Sequence, residues 1–218
     1  MLFDFDGVIL ESAEIKTDAF RDLFSDYPAH VAEIVQLHLR HSGISRHIKF
    51  EMIHRDILRL PFDAAKDEEL GRRFEALVME KVLSCQMVPG ARDVLDRFTG
   101  RLPMALISGT PGAELAAIVR RRGLERYFDA VHGSPPAKRE WISRLLLAGR
   151  WQPERVVMVG DGLSDFEAAR DSGVHFVGRV TPRHNPFSPG TPVVADLTSL
   201  VEAISALLDA AQRELPIA

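Results

Sequence analysis

Two aspartates near the start of the chain are the first residues whose chemistry needs an explanation. Asp4 and Asp6 lie two positions apart in a run of otherwise apolar character that includes Phe3, Phe5 and Val8. Buried carboxylates are costly unless they bind a cation, pair with a charge or exchange a proton. A turn with two solvated aspartates is the plain alternative, but the phenylalanines disfavour a solvated position. We interpret the pair as functional.

A second pair of carboxylates follows the strongest strand signal of the chain, the apolar run 155–159. Asp161 and Asp165 are four positions apart where this run turns into a helical pattern. Their side chains can converge on one hard cation, and oxygen ligands of this kind suit Mg²⁺. Capping of the following helix would explain Asp165 but not Asp161. The sequence therefore predicts a magnesium site that includes both residues.

Candidate phosphate-binding residues lie between these two pairs. Ser108 and Gly109 follow the apolar run 102–107, and Lys138 stands at the start of a helical pattern. A hydroxyl and the free N–H groups at a helix start can bind an anion, and a lysine can neutralise a phosphate oxygen. A helix cap and a solvated lysine are the plain alternatives for each residue alone.

The elements that must position these residues follow from the hydrophobic periodicity. From residue 89 onward, short apolar runs alternate with helical patterns, which predicts right-handed crossovers and a parallel sheet covered on both faces. Ligands bind beyond the carboxyl ends of the strands in such sheets. Asp4, Ser108 and Asp161 each follow an apolar run. We therefore expect an α/β fold in which these residues meet at one edge of the sheet.

A long helical segment separates the first strand from the second. Residues 13–83 show apolar residues at helical spacing, interrupted at Gly43 and Pro61, which predicts about four short helices. The segment is expected to form an inserted cap over the functional edge. The domain organisation expected is a core of residues 1–12 plus 86–218, and a helical cap of residues 13–85. Residues 180–192 are predicted to form an irregular loop.

The order of these motifs resembles the haloacid dehalogenase superfamily, in its phosphatase and phosphomutase branch with a helical cap. The match runs from the Asp-x-Asp-Gly motif at Asp4, through Ser108 and Lys138, to the Gly-Asp-Gly-x-x-Asp motif at Asp161. The resemblance implies a doubly wound, Rossmann-like parallel core. Asp4 would be the nucleophile and a metal ligand. Asp6 would be the general acid and base, with its backbone carbonyl on the metal.

The same resemblance assigns the remaining residues. Ser108, Gly109 and Lys138 would hold the phosphoryl oxygens, and Asp161 and Asp165 would complete the Mg²⁺ site. Relatives that cleave carbon–halogen or phosphonate bonds lack a carboxylate at the position of Asp6. We therefore expect a magnesium-dependent phosphatase that acts on a small phosphorylated metabolite, such as a sugar phosphate or phosphoglycolate. A sugar phosphomutase and an inactive binding or regulatory protein of this fold are the alternatives.

Three basic residues of the cap are candidates for substrate specificity. The element Gly43-Ile44-Ser45-Arg46 is similar to a specificity loop of sugar-phosphate enzymes in this superfamily, and Lys49 follows it. Arg46 could bind a second phosphate or a carboxylate, and an exposed helix–helix turn is an equally open interpretation. Lys16 stands where mutase relatives often carry a histidine, which disfavours a mutase and fits an acidic substrate.

Composition limits the partners and the compartment. A chain of 218 residues with a formal net charge of −4 offers no general attraction to nucleic acid or anionic membranes. No apolar run is long enough for a membrane span, and no export signal is recognisable. Cys85 is the single cysteine, which fits a reducing cytoplasm. The apolar run before Asp4 is short, so either the first strand is short or the natural start lies upstream. The oligomeric state is open.

Overall fold

A computed structural model of the chain describes residues 1–213. Its centre is a sheet of six strands, in which every neighbouring pair is parallel. The strands are β1 (Leu2–Phe3), β2 (Ala105–Pro111), β3 (Ala130–Ser134), β4 (Val157–Gly160), β5 (His175–Arg179) and β6 (Val193–Val194).

The strand order across the sheet is β3-β2-β1-β4-β5-β6. The short strand β1 lies at the centre, where Leu2 pairs with Ala105 on one side and with Met158 on the other. The chain winds outward in opposite directions from β1, so a crevice opens between the carboxyl ends of β1 and β4. The doubly wound, Rossmann-like α/β fold expected from the sequence is confirmed.

Nine α-helices accompany the sheet in the described part of the chain. A π-helical turn, Ile53–Leu58, directly continues the third of them. The helices are α1 (Ala13–Leu23), α2 (Val31–Arg40), α3 (Arg46–Met52), α4 (Ala64–Ser84), α5 (Ala91–Phe98), α6 (Gly112–Arg121), α7 (Lys138–Gly149), α8 (Leu163–Asp171) and α9 (Leu200–Arg213). None of these helices is long and apolar enough to cross a membrane.

Apolar layers cover both faces of the sheet because successive residues of a strand point to opposite sides. One face carries Leu2 and Met158, which pack with Ile142 of α7 and with α8. The opposite face carries Phe3 and Val159, which belong to a larger buried cluster that includes α5, α6 and the start of α9. Parallel strands that are buried on both faces explain the nearly continuous apolar runs in the sequence.

Helices α1 to α4 lie between β1 and β2 in the chain and form a bundle around a cluster of aromatic rings. The ring of Phe20 on α1 lies 5.8 Å from that of Phe50 on α3 and 5.0 Å from that of Phe74 on α4. Four helices at this place agree with the periodicity of residues 13–83. We infer that they form the cap, with the boundaries expected above.

Three elements differ from the sequence-based expectation. Strand β2 runs on to Pro111, with an irregular register after Ile107, so Ser108 lies in the strand and the following helix begins at Gly112. The sequence of residues 127–131 predicts a short strand, but the strand lies at Ala130–Ser134, because Glu125–Tyr127 form a 3₁₀ turn first. Helix α5 was not expected at all, since its eight residues offer only two turns of periodicity.

A substitution at Gly90 tests the close packing of the start of α5 against the backbone of Leu197 and Thr198, just before α9. Gly90 has a φ of +78°, and a Cβ there would lie 2.3 Å from the backbone nitrogen of Thr198. Gly90→Ala should lower the free energy of unfolding by at least ~2 kcal/mol more than Gly100→Ala, because backbone atoms cannot move aside as side chains do. Gly100 has a φ of +71° with nothing within 4 Å, so its alanine variant reports backbone strain alone, about 1 kcal/mol. Urea unfolding of both variants measures the difference, and equal losses would contradict the packing assigned here.

Candidate active site

Three carboxylates converge at the crevice between β1 and β4. Asp4 directly follows β1, Asp161 directly follows β4, and Asp165 lies in the first turn of α8. One carboxylate oxygen from each residue lies within 4.8 Å of the other two, and all three residues are buried. The two aspartate pairs that lie far apart in the sequence therefore form a single cluster.

Lys138, the first residue of α7, is the cation within this cluster. Its Nζ donates a hydrogen bond of 2.6 Å to Asp165 Oδ1 and lies 2.9 Å from Asp4 Oδ1. Burial alone would lower the pKa of Lys138, but the carboxylates of Asp165 and Asp4 hold that pKa above its usual range. Lys138 is therefore charged at any physiological pH and faces the carboxylate of Asp4.

One lysine does not balance three carboxylates. Burial and then the neighbouring carboxylates raise the pKa of Asp161 well above its usual value. Burial also raises the pKa of Asp4 to about 7, although Lys138 works in the opposite direction. The Oδ1 atom of Asp4 is buried, and its ion-pair partner is the Lys138 ammonium 2.9 Å away. Excess negative charge on buried carboxylate oxygens is the feature that a divalent cation with oxygen ligands would satisfy.

Asp6 lies beside this cluster in a different electrostatic environment. Ser12 Oγ donates a hydrogen bond of 2.6 Å to Asp6 Oδ1, and Thr110 Oγ1 donates one of 3.1 Å to Oδ2. Lys16 on α1 forms an ion pair with Oδ2 and a hydrogen bond of 2.5 Å to Thr110 Oγ1. Burial would raise the pKa of Asp6, but Lys16 and the hydrogen bonds hold it below its usual value.

Ser108 and Gly109 lie in the irregular part of β2, at the same edge of the sheet. The Oγ atom of Ser108 accepts a hydrogen bond of 3.1 Å from the Thr110 amide, and the residue is buried. Ser134 Oγ fixes the loop through a hydrogen bond of 2.9 Å to the Gly109 carbonyl. The strand irregularity, rather than a helix start, turns this segment toward Asp4.

The turn between α2 and α3 packs closely against the carboxylate cluster, next to Ser164 and Lys138. Ser164 Oγ on α8 donates a hydrogen bond of 2.9 Å to the Ser42 carbonyl. Gly43 has a φ of +81°, and a Cβ there would lie 2.2 Å from Ser164 Oγ and 3.1 Å from Lys138 Nζ. Only glycine allows the helical segment to approach the charged cluster this closely.

A cavity of about 540 Å³ lies between the helical segment and the sheet edge. Asp4, Asp6 and Ser108 from the sheet edge line it together with Lys16 and Lys49 from the helical segment. Nearly all of the sequence-predicted site residues therefore face one space. They comprise Asp4, Asp6, Lys16, Arg46, Lys49, Ser108, Gly109 and Asp161 along the cavity, with Lys138 and Asp165 packed against Asp4.

The structure adds contacts that the sequence did not indicate. The hydroxyl groups of Thr110 and Ser12 donate hydrogen bonds to Asp6. Arg179 at the end of β5 is buried and forms an ion pair of 2.8 Å with Glu11. The available signal was a polar residue at the carboxyl end of an apolar strand, where Thr110 lies in β2 and Arg179 ends β5. The partners of these residues depend on contacts over more than 90 positions.

Comparison with known proteins gives the family. The sequence model of the haloacid dehalogenase-like hydrolases matches residues 1–173. The chain belongs to this family. The expected resemblance and enzyme class are thereby confirmed, since it is a hydrolase family and the curated relatives below are named as phosphatases.

Two curated relatives and one solved structure illustrate the similarity. The chain is 30% identical to a phosphorylated carbohydrates phosphatase of Thermotoga maritima, over 80% of this chain and 81% of the relative. It is 27% identical to a phosphoglycolate phosphatase of Synechococcus elongatus, over 80% of each chain. The crystal structure of a putative beta-phosphoglucomutase from Thermotoga maritima superposes with a TM-score of 0.58 at 21% identity, over 98% of each chain.

The contacts around Asp6 give a prediction about its titration. Lys16→Met should raise the pKa of Asp6, because the ammonium that favours the carboxylate is removed while the burial remains. Carboxyl-carbon NMR titration of the metal-free protein measures this pKa, and Asp6→Asn identifies the signal. Thr110→Val removes only one neutral hydrogen bond and should raise the pKa less. An unchanged pKa in Lys16→Met would contradict the role of Lys16.

Proposed function

We propose that the protein is a magnesium-dependent phosphatase that hydrolyses a small phosphorylated metabolite through a phosphorylated Asp4. The observation that carries the proposal is the buried Asp4 carboxylate, ion-paired with Lys138 and set beside two further carboxylates at the edge of the cavity. The substrate class, phosphorylated sugars or phosphoglycolate, is inferred from the named relatives. A cytoplasmic location remains a prediction.

In the first step, a carboxylate oxygen of Asp4 attacks the phosphorus of the substrate. The bond between phosphorus and the ester oxygen breaks, and Asp6 gives a proton to the departing oxygen. Lys138 stabilises negative charge on the phosphoryl oxygens, together with the Ser108 hydroxyl and the Gly109 amide. Positive charge is needed beside the substrate phosphate because the phosphate and the Asp4 carboxylate repel each other.

In the second step, a water molecule attacks the phosphorus of the aspartyl phosphate. Asp6 now accepts a proton from this water, and the carboxylate of Asp4 is released together with inorganic phosphate. Lys16 lowers the pKa of Asp6, so the charged form that this step requires predominates at neutral pH. The first step requires the protonated form of Asp6 together with the charged form of Asp4, whose pKa burial raises to about 7.

A divalent cation would be held by Asp4, Asp161, Asp165 and the backbone carbonyl of Asp6. When bound, Mg²⁺ would supply positive charge against the phosphoryl oxygens and offset the repulsion among the carboxylates. The donor set fits, because it consists of hard oxygen ligands in a group that carries excess negative charge. Of the basic residues Lys16, Arg46 and Lys49 along the cavity, the first two are paired with Asp6 and Glu114, so Lys49 is the one that is proposed to contact the substrate directly.

Substitution of the nucleophile tests the proposal. Asp4→Asn should reduce phosphate release by about 10³-fold or more, because the amide cannot form the covalent intermediate. The assay is release of inorganic phosphate from a panel of sugar phosphates and phosphoglycolate in the presence of Mg²⁺. Rapid-quench mass spectrometry should find a phosphoryl group on the wild-type protein alone.

Asp26→Asn serves as the matched control, since Asp26 is exposed and should tolerate the change. Unchanged turnover in Asp4→Asn would reject the assigned nucleophile. Glucose 1-phosphate in the panel separates the two chemistries, because a phosphatase releases free phosphate and a mutase forms the 6-phosphate. Absence of both products across the panel would favour a binding or regulatory protein.

The pKa of Asp4 gives a prediction for metal binding. Burial raises this pKa to about 7 in the metal-free protein, so a cation must displace a proton at lower pH. The affinity for Mg²⁺ should therefore rise between about pH 6 and pH 8. Calorimetry in two buffers with different ionisation enthalpies measures both the affinity and the protons released. An affinity that does not change with pH, without proton release, would contradict the assignment.

A further inference from the structure

Lys49 differs from the other cations that line the cavity because no carboxylate balances its charge. Within the described residues, no carboxylate oxygen lies within the 4 Å ion-pair distance of Lys49 Nζ, whereas every other lysine or arginine along the cavity has one. Those pairs are Lys16 with Asp6, Arg46 with Glu114, Arg179 with Glu11 and Arg183 with Glu14.

The contacts of Lys49 hold its ammonium at the cavity wall. Lys49 is only 3% exposed, and its Nζ lies 3.2 Å from Nδ1 and 3.4 Å from the carbonyl oxygen of His38. The same Nζ lies 5.6 Å from the centre of the Phe20 ring. Burial, and then repulsion by Lys49, lower the pKa of His38 to about 2. A neutral imidazole and a ring face orient the ammonium but leave its charge uncompensated.

An uncompensated ammonium in this position is unfavourable. Burial, and then the nearby Lys16, lower the pKa of Lys49 to about 7. Lys138 adds repulsion, and the carboxylates of Asp161 and Asp6 reduce it only from a distance. An anionic group placed against Nζ would remove this penalty, because an opposite charge in a partly desolvated site favours the ammonium form.

Arg46, one helical turn before Lys49, is already committed to another partner. Its guanidinium forms a buried ion pair with Glu114 on α6 and lies 4.9 Å from the centre of the Phe74 ring. The positive charge of Arg46 is therefore compensated within the protein. Lys49 is the cation on this wall whose charge remains available to a ligand.

We propose that Lys49 binds a second anionic group of the substrate, a carboxylate or a second phosphate, carried on the part that leaves after hydrolysis. The proposal rests on the proposed function, since it assumes that the reacting phosphate occupies the Asp4 side of the same cavity. Asp4 and Lys49 both line this space of about 540 Å³. The substrates expected from this proposal are small phosphate esters that carry a second anionic group at the end opposite the reacting phosphate.

Matched pairs of substrates test the charge requirement. 6-Phosphogluconate and sorbitol 6-phosphate differ by a carboxylate in place of a hydroxymethyl group. Fructose 1,6-bisphosphate and fructose 1-phosphate differ by the second phosphate. For each pair, the quantity measured is the ratio of kcat/KM for the acidic substrate to kcat/KM for the less charged one. A general effect on turnover cancels in this ratio.

In the wild-type protein, at least one pair should show a ratio of about 10 to 100 in favour of the acidic member, and Lys49→Met should bring that ratio close to one. The pair that responds identifies the anion as carboxylate or phosphate. Lys49→Arg keeps the charge and should retain most of the preference. Lys81→Met, a change at an exposed lysine of α4, should keep the wild-type ratio.

Ratios near one for both pairs in the wild-type protein would overturn the proposal, even if Lys49→Met failed to fold. An unchanged preference in a folded Lys49→Met would also overturn it. A protein that hydrolyses neither these compounds nor p-nitrophenyl phosphate would contradict the proposed function instead. Calorimetric dissociation constants for the same pairs would then test Lys49 separately, with the same ratios expected.

Discussion

The crowding of Asp4, Asp161 and Asp165 around a single lysine is the constraint on which the site depends. Three carboxylates within 4.8 Å of one another cannot all be charged in a buried position unless positive charge is supplied. Lys138 supplies part of it, and burial together with the remaining negative charge raises the pKa values of Asp4 and Asp161. The same excess of negative charge fits the cation that the proposed function requires.

The fold keeps the crowded carboxylates from moving apart by fixing the backbone around them. Each carboxylate is attached to the end of a buried central strand or to the first turn of the next helix, where few backbone movements are possible. The apolar layers on both faces of the sheet hold these strand ends in register. Asp6 lies only two residues beyond Asp4, yet Lys16 and two hydroxyl groups give it the opposite pKa shift. Two neighbouring aspartates thereby become suited to different roles.

The sequence alone predicted the residues at the strand ends, but it did not predict helix α5 or the long-range ion pairs. Asp4, Ser108 and Asp161 could be brought together in advance, because apolar runs locate strand ends and parallel strands share an edge. Helix α5 was missed because a two-turn helix has too little periodicity. The ion pairs of Arg46 with Glu114 and Arg179 with Glu11 could not be predicted, since they join residues 68 and 168 positions apart whose meeting depends on the complete tertiary structure.

The contact at Gly43 has a consequence for how such an enzyme can diversify. At Gly43 the helical segment meets the edge of the sheet through backbone atoms and the Ser164 hydroxyl, with no room for a side chain. A side chain at Gly43 would disturb this contact, whereas substitutions on the cavity faces of α2 and α3 would leave it intact. Under the proposed function, selection could therefore exchange residues that contact the leaving group while Asp4, Lys138 and the neighbouring carboxylates stay unchanged. Substrate preference and reactivity could thus change independently of each other in this fold.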